Sequence, residues 1–196
     1  MVVLEVCYSG DLATGEKVIA PLRTFIKPLA DQVKAMPYLK LQTGGDEANA
    51  AGRNYYVKSG FVESVDPRLL DAMTAGFSAA AGRTTVMVLQ QLGGAIGRVR
   101  PDATAFNHRK ASFDLLVLGS WEDPGQTPQH STWVKEFWSS LESYTRGYYF
   151  NTSIGDSQDK VRANFGANYP RLVKLKNRYD PGNLFRLNAN VLPTAA

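Results

Sequence analysis

The alternation of apolar and polar residues predicts several strands along the chain. Asn54–Val62 alternates over nine residues, as expected for a strand with one buried face. Val2–Tyr8 is almost entirely apolar, which predicts a central strand buried on both faces. Because this run directly follows Met1, we expect the chain to begin at a boundary between domains. Further strands are predicted at Thr84–Gln91, Phe113–Leu118 and Gly147–Asn151.

Helices are predicted where apolar residues recur every three or four positions. An amphipathic helix is predicted over residues 18–26, with Pro21 delaying or bending it. Asp66 and Pro67 are typical of a helix start, and Thr127-Pro128 begins another predicted helix. Two short helices are predicted at 157–166 and 168–179. Strands and helices follow one another without a strict βαβ repeat. We therefore expect an α+β fold, an antiparallel β-sheet with helices packed on one face, followed by a short helical C-terminal segment.

Composition excludes several classes of site. Of 196 residues, 44% are hydrophobic and 20% charged, which is enough for a globular core. The single cysteine, Cys7, cannot form an intrachain disulfide, and we expect it to be a buried hydrophobic residue. With two histidines and one cysteine, no metal site of the usual zinc type is expected. No stretch is long enough to span a membrane and no leader pattern opens the chain, so we expect a reduced, cytoplasmic setting.

Positive charge is concentrated near the C-terminus. Seven lysines and arginines lie between Lys160 and Arg186, against one acidic residue, Asp180. Arg171, Lys174 and Arg178 share one face of a predicted helix. This face is either a solvated surface or a site for a phosphate group or an acidic partner. Nucleic acid is not expected as a partner, because no aromatic-interleaved basic motif or helix-turn-helix pattern accompanies the charge.

Two other features have structural interpretations. The cluster Gly93-Gly94-Ala-Ile-Gly97 lacks the Gly-Lys-Ser/Thr of a phosphate-binding loop, and a turn after a strand explains it. His108 and His130 have no cysteine, serine or carboxylate at a catalytic spacing. We therefore interpret both histidines as structural.

The last 29 residues carry the most specific pattern. Asn168 is placed to cap a helix, Pro170 fits its first turn, and Asp180-Pro-Gly-Asn183 ends it. The stretch NYPRLVKLKNRYDPGNLFRLNANV resembles the C-terminal signature of the berberine-bridge-enzyme-like family of FAD-linked oxidases. Gly93-Gly94-Ala95 and the block Ala105-Phe-Asn-His-Arg109 are similar to internal motifs of that family, so the resemblance covers essentially the whole chain.

The resemblance implies a division of the chain and a set of site residues. It implies a substrate-binding domain over residues 1–151 and a C-terminal segment over 152–196 that packs on an FAD-binding domain. In Tyr149-Phe-Asn151, the tyrosine is implied to be the catalytic base and the asparagine to contact the cofactor. Asn188 and Asn190, the closing Asn-x-Asn, are implied FAD contacts. Tyr148, by contrast, is expected to be packed in the core.

The resemblance also implies a polar substrate-facing residue on the strand before Trp121. In this sequence one face of that strand carries Asp114, Leu116 and Leu118. If the usual polar position falls at either leucine, the second catalytic group is missing or comes from elsewhere.

The implied function is oxidation of a small-molecule substrate, namely an alcohol, sugar or secondary metabolite, by hydride transfer to flavin. The alternatives are a non-enzymatic small-ligand or protein-binding module on the same fold, and an inactive truncated gene product. The expected partner is an FAD-binding domain or subunit. Alone, the chain is expected not to hold FAD tightly, to lack activity, and either to self-associate through its apolar tail or to have a mobile tail.

Overall fold

The computed structural model describes residues 1–79, 85–152, 157–187 and 189–194. The chain forms two compact units, Met1–Ala51 and Gly52–Ala196. The described residues contain seven α-helices and three strands. In chain order these are α1 (Leu12–Phe25), α2 (Tyr38–Gln42), β1 (Asn54–Val62), α3 (Pro67–Ser78), β2 (Val86–Gln91), α4 (Ala95–Arg98), β3 (Phe113–Trp121), α5 (Thr127–Leu141), α6 (Gln158–Phe165) and α7 (Tyr169–Tyr179).

The first unit corrects the prediction of an N-terminal strand. Residues Val2–Tyr8 form no strand, and the side chain of Val2 is 93% exposed. An apolar run becomes a strand only when other strands hydrogen-bond to it, and the described strands all belong to the second unit and pair with one another. Cys7 is exposed, so the prediction that it is buried is also wrong.

The first helix begins earlier than its apolar pattern indicated. The carboxylate of Asp11 accepts a hydrogen bond from the backbone N–H of Thr14 at 2.9 Å, and this cap fixes the start of α1. Pro21 lies inside α1 rather than at its start. The cap residue, and not the first apolar residue, therefore sets the beginning of this helix.

The second unit is built on an antiparallel three-stranded sheet in the order β1-β3-β2. β1 coincides with the predicted strand Asn54–Val62, and β3 extends the predicted strand from Phe113 to Trp121. β2 lies within the predicted Thr84–Gln91, of which Thr84 is outside the described residues. In the register, Leu115 of β3 lies opposite Gly60 of β1 and Leu89 of β2.

Helices α3 and α5 cover one face of this sheet. The predicted start of α3 is confirmed, because the side chain of Asp66 accepts from the N–H of Arg68 at 2.8 Å and Pro67 is the first helical residue. The buried core contains Val62, Leu69, Met73, Leu115, Val117, Val134, Phe137, Trp138 and Leu141. Sheet residues of this core alternate with residues that face the other side. The α+β prediction, with helices on one face of an antiparallel sheet, is confirmed.

The predicted strand over Gly147–Asn151 is wrong. A single bridge joins Arg146 to Phe61, with the N–H of Arg146 donating to the carbonyl oxygen of Phe61 at 2.7 Å. Gly147 follows with φ of 60°, which turns the chain away from the sheet. The segment then closes into a turn in which the N–H of Thr152 donates to the carbonyl oxygen of Tyr149 at 2.9 Å.

The two predicted C-terminal helices are confirmed as α6 and α7. Asn168 precedes α7, but its side chain donates to the carbonyl oxygen of Pro101 at 2.8 Å instead of capping the helix. After α7 the carboxylate of Asp180 accepts from the N–H groups of Leu184 and Phe185 and pairs with Lys176. These contacts fix a turn over residues 180–185, which begins the C-terminal tail, the part of the chain after α7. None of the helices in the described ranges is long and apolar enough to cross a membrane.

Candidate active site

The predicted site residues Tyr149 and Asn151 lie together in the turn after Gly147. The side-chain amide of Asn151 donates a hydrogen bond to the phenol oxygen of Tyr149 at 2.8 Å. The Tyr149 residue is 37% exposed, whereas Tyr148 is only 7% exposed, as expected for a core residue. The structure therefore presents Tyr149, and not Tyr148, at the surface, with the amide of Asn151 hydrogen-bonded to its phenol oxygen.

Ser59 of β1 ties this turn to the sheet. Its hydroxyl accepts from the N–H of Tyr149 at 3.2 Å and donates to the carbonyl oxygen of the same residue at 3.3 Å. The hydroxyl of Thr152 also lies 2.9 Å from that of Ser59. Sequence reasoning did not identify Ser59, because its partners in the turn lie about 90 residues away along the chain.

His108 links the internal motif to the C-terminal helices, consistent with its structural interpretation. Its Nε2 lies 2.9 Å from the side-chain oxygen of Asn164 in α6 and 3.0 Å from the carbonyl oxygen of the same residue. Asn164 Oδ1 also accepts from the N–H of Tyr148 at 2.9 Å. The imidazole stacks on Phe61 with ring centres 4.6 Å apart. We call this set, Phe61, His108, Tyr148 and Asn164, the histidine bracket.

The histidine bracket fixes the position of the turn that carries Tyr149. It crosses the predicted boundary between residues 151 and 152, because Asn164 lies after that boundary and its partners His108 and Tyr148 lie before it. Asn164 is 3% exposed and was not identified from the sequence. No local signal marked it, since its partners lie far from it along the chain.

On the sheet face opposite α3 and α5, the turn and the histidine bracket cover Ser59 and Phe61, whereas the β2 edge is exposed. The described residues of this face alternate with the core positions and form three cross-strand rows. These rows are Val57–Leu118–Val86, Ser59–Leu116–Val88 and Phe61–Asp114–Gln90. We call this surface the open face. Val86 and Val88 are 49% and 40% exposed, so it is accessible from the β2 edge.

Asp114 is the acidic residue among these rows. It is only 9% exposed, and burial raises the pKa of its carboxyl group to about 6. Leu116 and Leu118 lie on the same face, as the sequence pattern predicted, so neither offers a polar group there. A carboxyl group is therefore available on the open face one row away from the polar position expected at Leu116.

Comparisons with known proteins identify the family of this chain. The family model described as "Berberine and berberine like" matches residues 148–192, which include the turn, α6, α7 and the tail. The uncharacterized FAD-linked oxidoreductase YgaK of Bacillus subtilis (strain 168) is 30% identical over 184 residues, covering 91% of this chain and 40% of that protein. The chain belongs to the berberine-bridge-enzyme-like family.

Solved structures of this family share the fold. A chitooligosaccharide oxidase superposes with a TM-score of 0.77 at 21% identity, covering 96% of this chain and 45% of that one. BBE-like 1 of Physcomitrella patens superposes with a TM-score of 0.76 at 18% identity, covering 95% of this chain and 43% of that one. The chain thus spans less than half the length of the berberine-bridge-enzyme-like proteins it matches.

Of the FAD contacts implied by the family resemblance, Asn190 fits a ligand-facing role. Its side-chain oxygen is buried, and no described residue donates to it. Its backbone carbonyl accepts from the side-chain amide of Gln158 at 3.2 Å, which holds the tail against α6. No described hydrogen bond joins Asn190 to Tyr149 or Asn151. Asn188 lies outside the described residues.

Proposed function

We propose that this chain forms the substrate-binding and C-terminal part of an FAD-dependent oxidoreductase. The substrate is an alcohol, a sugar or a secondary metabolite. The observation that carries the proposal is the Tyr149–Asn151 pair, because an exposed phenol with a side-chain amide on its oxygen suits a group that accepts a proton from a substrate hydroxyl. The proposed partner is an FAD-binding domain or subunit.

The residues present suit one wall of a flavin site. The unpaired, buried oxygen of Asn190 offers an acceptor for an N–H group of the kind that a flavin ring carries. The tail places Leu184, Phe185 and Leu187 at 77%, 78% and 85% exposure, which is a surface for a further domain to cover or for self-association. When bound, FAD supplies the acceptor for the hydride that leaves the substrate carbon.

Within this chain, the proposed chemistry is the handling of one proton. In its deprotonated form, the phenol oxygen of Tyr149 takes the proton from the substrate hydroxyl, while Asn151 orients that oxygen through its amide hydrogen bond. Ser59 and Asn164 hold the backbone of Tyr149 and Tyr148 in place. Because these two contacts end on the backbone, they leave the phenol oxygen accessible to substrate.

In a protein that joins this chain to its flavin-binding region, Tyr149→Phe is expected to slow flavin reduction by substrate about 10²- to 10⁴-fold, the range for loss of a general base. Stopped-flow absorbance of the flavin would measure this. Flavin content should stay unchanged, because the phenol is not needed to hold the cofactor. The matched control is Tyr148→Phe, which alters a buried neighbour. Equal slowing in both variants, or unchanged reduction in Tyr149→Phe, would remove Tyr149 from the catalytic role.

The 196-residue chain alone is expected to purify without flavin and without oxidase activity. A ligand held by one wall of its site loses most of the contact surface on which tight binding depends. Absorbance between 350 and 500 nm after incubation with excess FAD and gel filtration would test this, and a stoichiometric flavin spectrum would contradict it.

A further inference from the structure

We propose that β2 is a pairing edge at which a second copy of this chain adds its own β2, so that two three-stranded sheets join into one sheet of six strands. The pairing is antiparallel and two-fold symmetric, with Val88 opposite Val88 of the second copy. This inference goes beyond the proposed function and does not rest on it.

The first support is the direction of the backbone groups along β2. The N–H of Leu92, directly after β2, donates to the carbonyl oxygen of Ser112 at 2.7 Å. Since hydrogen-bonded and non-hydrogen-bonded pairs alternate in an antiparallel ladder, the even-numbered residues of β2 bond to β3. The N–H and C=O groups of Met87, Leu89 and Gln91 therefore point away from the sheet, and no described residue hydrogen-bonds to them. Such a row of backbone groups is a template for another strand.

The second support is the contrast with β1, which forms the other edge of the sheet. The carbonyl oxygen of Phe61 in β1 already accepts from the N–H of Arg146 at 2.7 Å. β1 also carries Lys58, and charged residues on an edge oppose pairing with another chain. The sequence of β2, Val-Met-Val-Leu-Gln-Gln, contains no charged residue, proline or glycine. β2 is therefore the edge that lacks protection against a further strand.

The third support is that β2 is complementary to itself in one register. Residues directly opposite each other in an antiparallel pair point to the same face of the sheet. With Val88 at the two-fold axis, Met87 of each copy lies opposite Leu89 of the other. Met87 and Leu89 pack against the core, so the apolar layer under the sheet continues from one copy into the next. A register centred on Leu89 would instead place Met87 and Val88 opposite glutamines.

The length and charge of β2 set the expected strength of the dimer. Val86 and Val88 are 49% and 40% exposed, so pairing removes hydrocarbon from water. The chain has a net charge of +4, but the paired residues are uncharged and place no like charges opposite each other. Six residues span about 20 Å, and a contact of this length buries less than the about 1,200 Å² of a stable interface. We therefore expect a reversible dimer with a dissociation constant of about 0.1 to 1 mM.

Sedimentation equilibrium of the 196-residue chain between about 20 μM and 2 mM brackets the expected constant and tests for the dimer. Amide hydrogen exchange, followed by NMR at both ends of this range, tests its location. The N–H groups of Met87 and Leu89 should exchange about two- to fivefold more slowly at the high concentration, the ratio of free edge that these constants leave. The N–H of Leu92 already bonds to Ser112 and should not change.

Two variants of opposite charge test the register. Because Val88 lies opposite its own copy, Val88→Lys and Val88→Glu each place two like charges face to face, and each should weaken the dimer about tenfold. An equimolar mixture of the two variants should associate about tenfold more tightly than either alone, since opposite charges then meet. The half-exposed position of Val88 at an edge lets both variants keep the fold, which the exchange of the Leu92 N–H reports.

The matched control is Phe185→Lys, which makes the same change of charge at a tail residue that is 78% exposed. It should leave the dimer unchanged. A chain that stays monomeric over the whole range would overturn the proposal, as would a mixture no tighter than its components. A dimer lost in Phe185→Lys but kept in Val88→Lys would place the contact in the tail. Protection of Met87 and Leu89 that is independent of concentration would show that another segment of the same chain covers the edge.

Discussion

Replacing Gly147 with alanine is expected to lower the free energy of unfolding by about 3 kcal/mol, the sum of left-handed backbone strain and lost buried hydrogen bonds. Gly147 has φ of 60°, and a Cβ there would lie 2.2 Å from Cε1 of His108 and 2.6 Å from Oδ1 of Asn164. The side chain would therefore break the histidine bracket. Urea denaturation followed by fluorescence would measure the change.

Gly182→Ala is the matched control, because a Cβ at Gly182 meets no atom within 4 Å. It should change stability by less than about 0.5 kcal/mol, as surface substitutions usually do. A second check is the double variant Gly147→Ala/His108→Ala, in which the clash with the imidazole is gone. Its loss of stability should be smaller than the sum of the two single losses. Additive losses would show that the clash with the histidine bracket is not the reason why alanine at residue 147 destabilises the protein.

The second large effect depends on pH. Asp114→Asn is expected to raise the free energy of unfolding by about 1 to 2 kcal/mol at pH 7.5, after solvent screening is allowed for, and to leave it nearly unchanged at pH 3.5. Burial raises the pKa of Asp114 from 3.8 to about 6 in the folded protein. The neutral acid is favoured by folding, so this stability is fully present below pH 3.8 and is lost as the pH rises through 6. Asparagine stays neutral throughout and avoids the loss.

Asp66→Asn provides a contrast of opposite sign. Hydrogen bonds from Arg68 lower the pKa of Asp66 to about 2, so its contribution is present above pH 3.8 and is lost as the pH falls through 2. The free energy of unfolding that wild type has in excess of Asp66→Asn should therefore shrink in acid. The excess that Asp114→Asn has over wild type should also shrink in acid, because wild-type Asp114 is then neutral. A pH-independent difference for Asp114→Asn would contradict the burial of its charge.

Local signals predicted the elements that local contacts stabilise. Asp66 and Pro67 predicted the start of α3 because a cap acts within one turn of the chain. Asn54–Val62 predicted β1 correctly, since its alternation matches a sheet with one covered face. Val2–Tyr8 has an equally apolar pattern, yet whether it forms a strand depends on pairing with strands that are distant in the sequence. A single sequence does not contain that information.

The candidate site shows the same difference between contacts that are local in the sequence and contacts that are distant in it. Tyr149 and Asn151 are two residues apart, so their contact follows from a motif within one turn, and the family resemblance pointed to both. Ser59 and Asn164 were missed because they act on the turn from 90 and 16 residues away along the chain. The predicted strand at Gly147–Asn151 fails at Gly147, which has a positive φ and packs against His108, a residue distant in the sequence.

The histidine bracket has a consequence for the order in which the protein matures on the ribosome. Asn164 holds both His108 and the backbone of Tyr148, so these two contacts form only after α6 has been synthesised and has docked. The three-stranded sheet, complete by Trp121, can form well before that. Newly made chains therefore acquire the strands first and the contacts of Asn164 last. A nascent chain that stalls before residue 164 would hold the turn through Ser59 alone, without the histidine bracket.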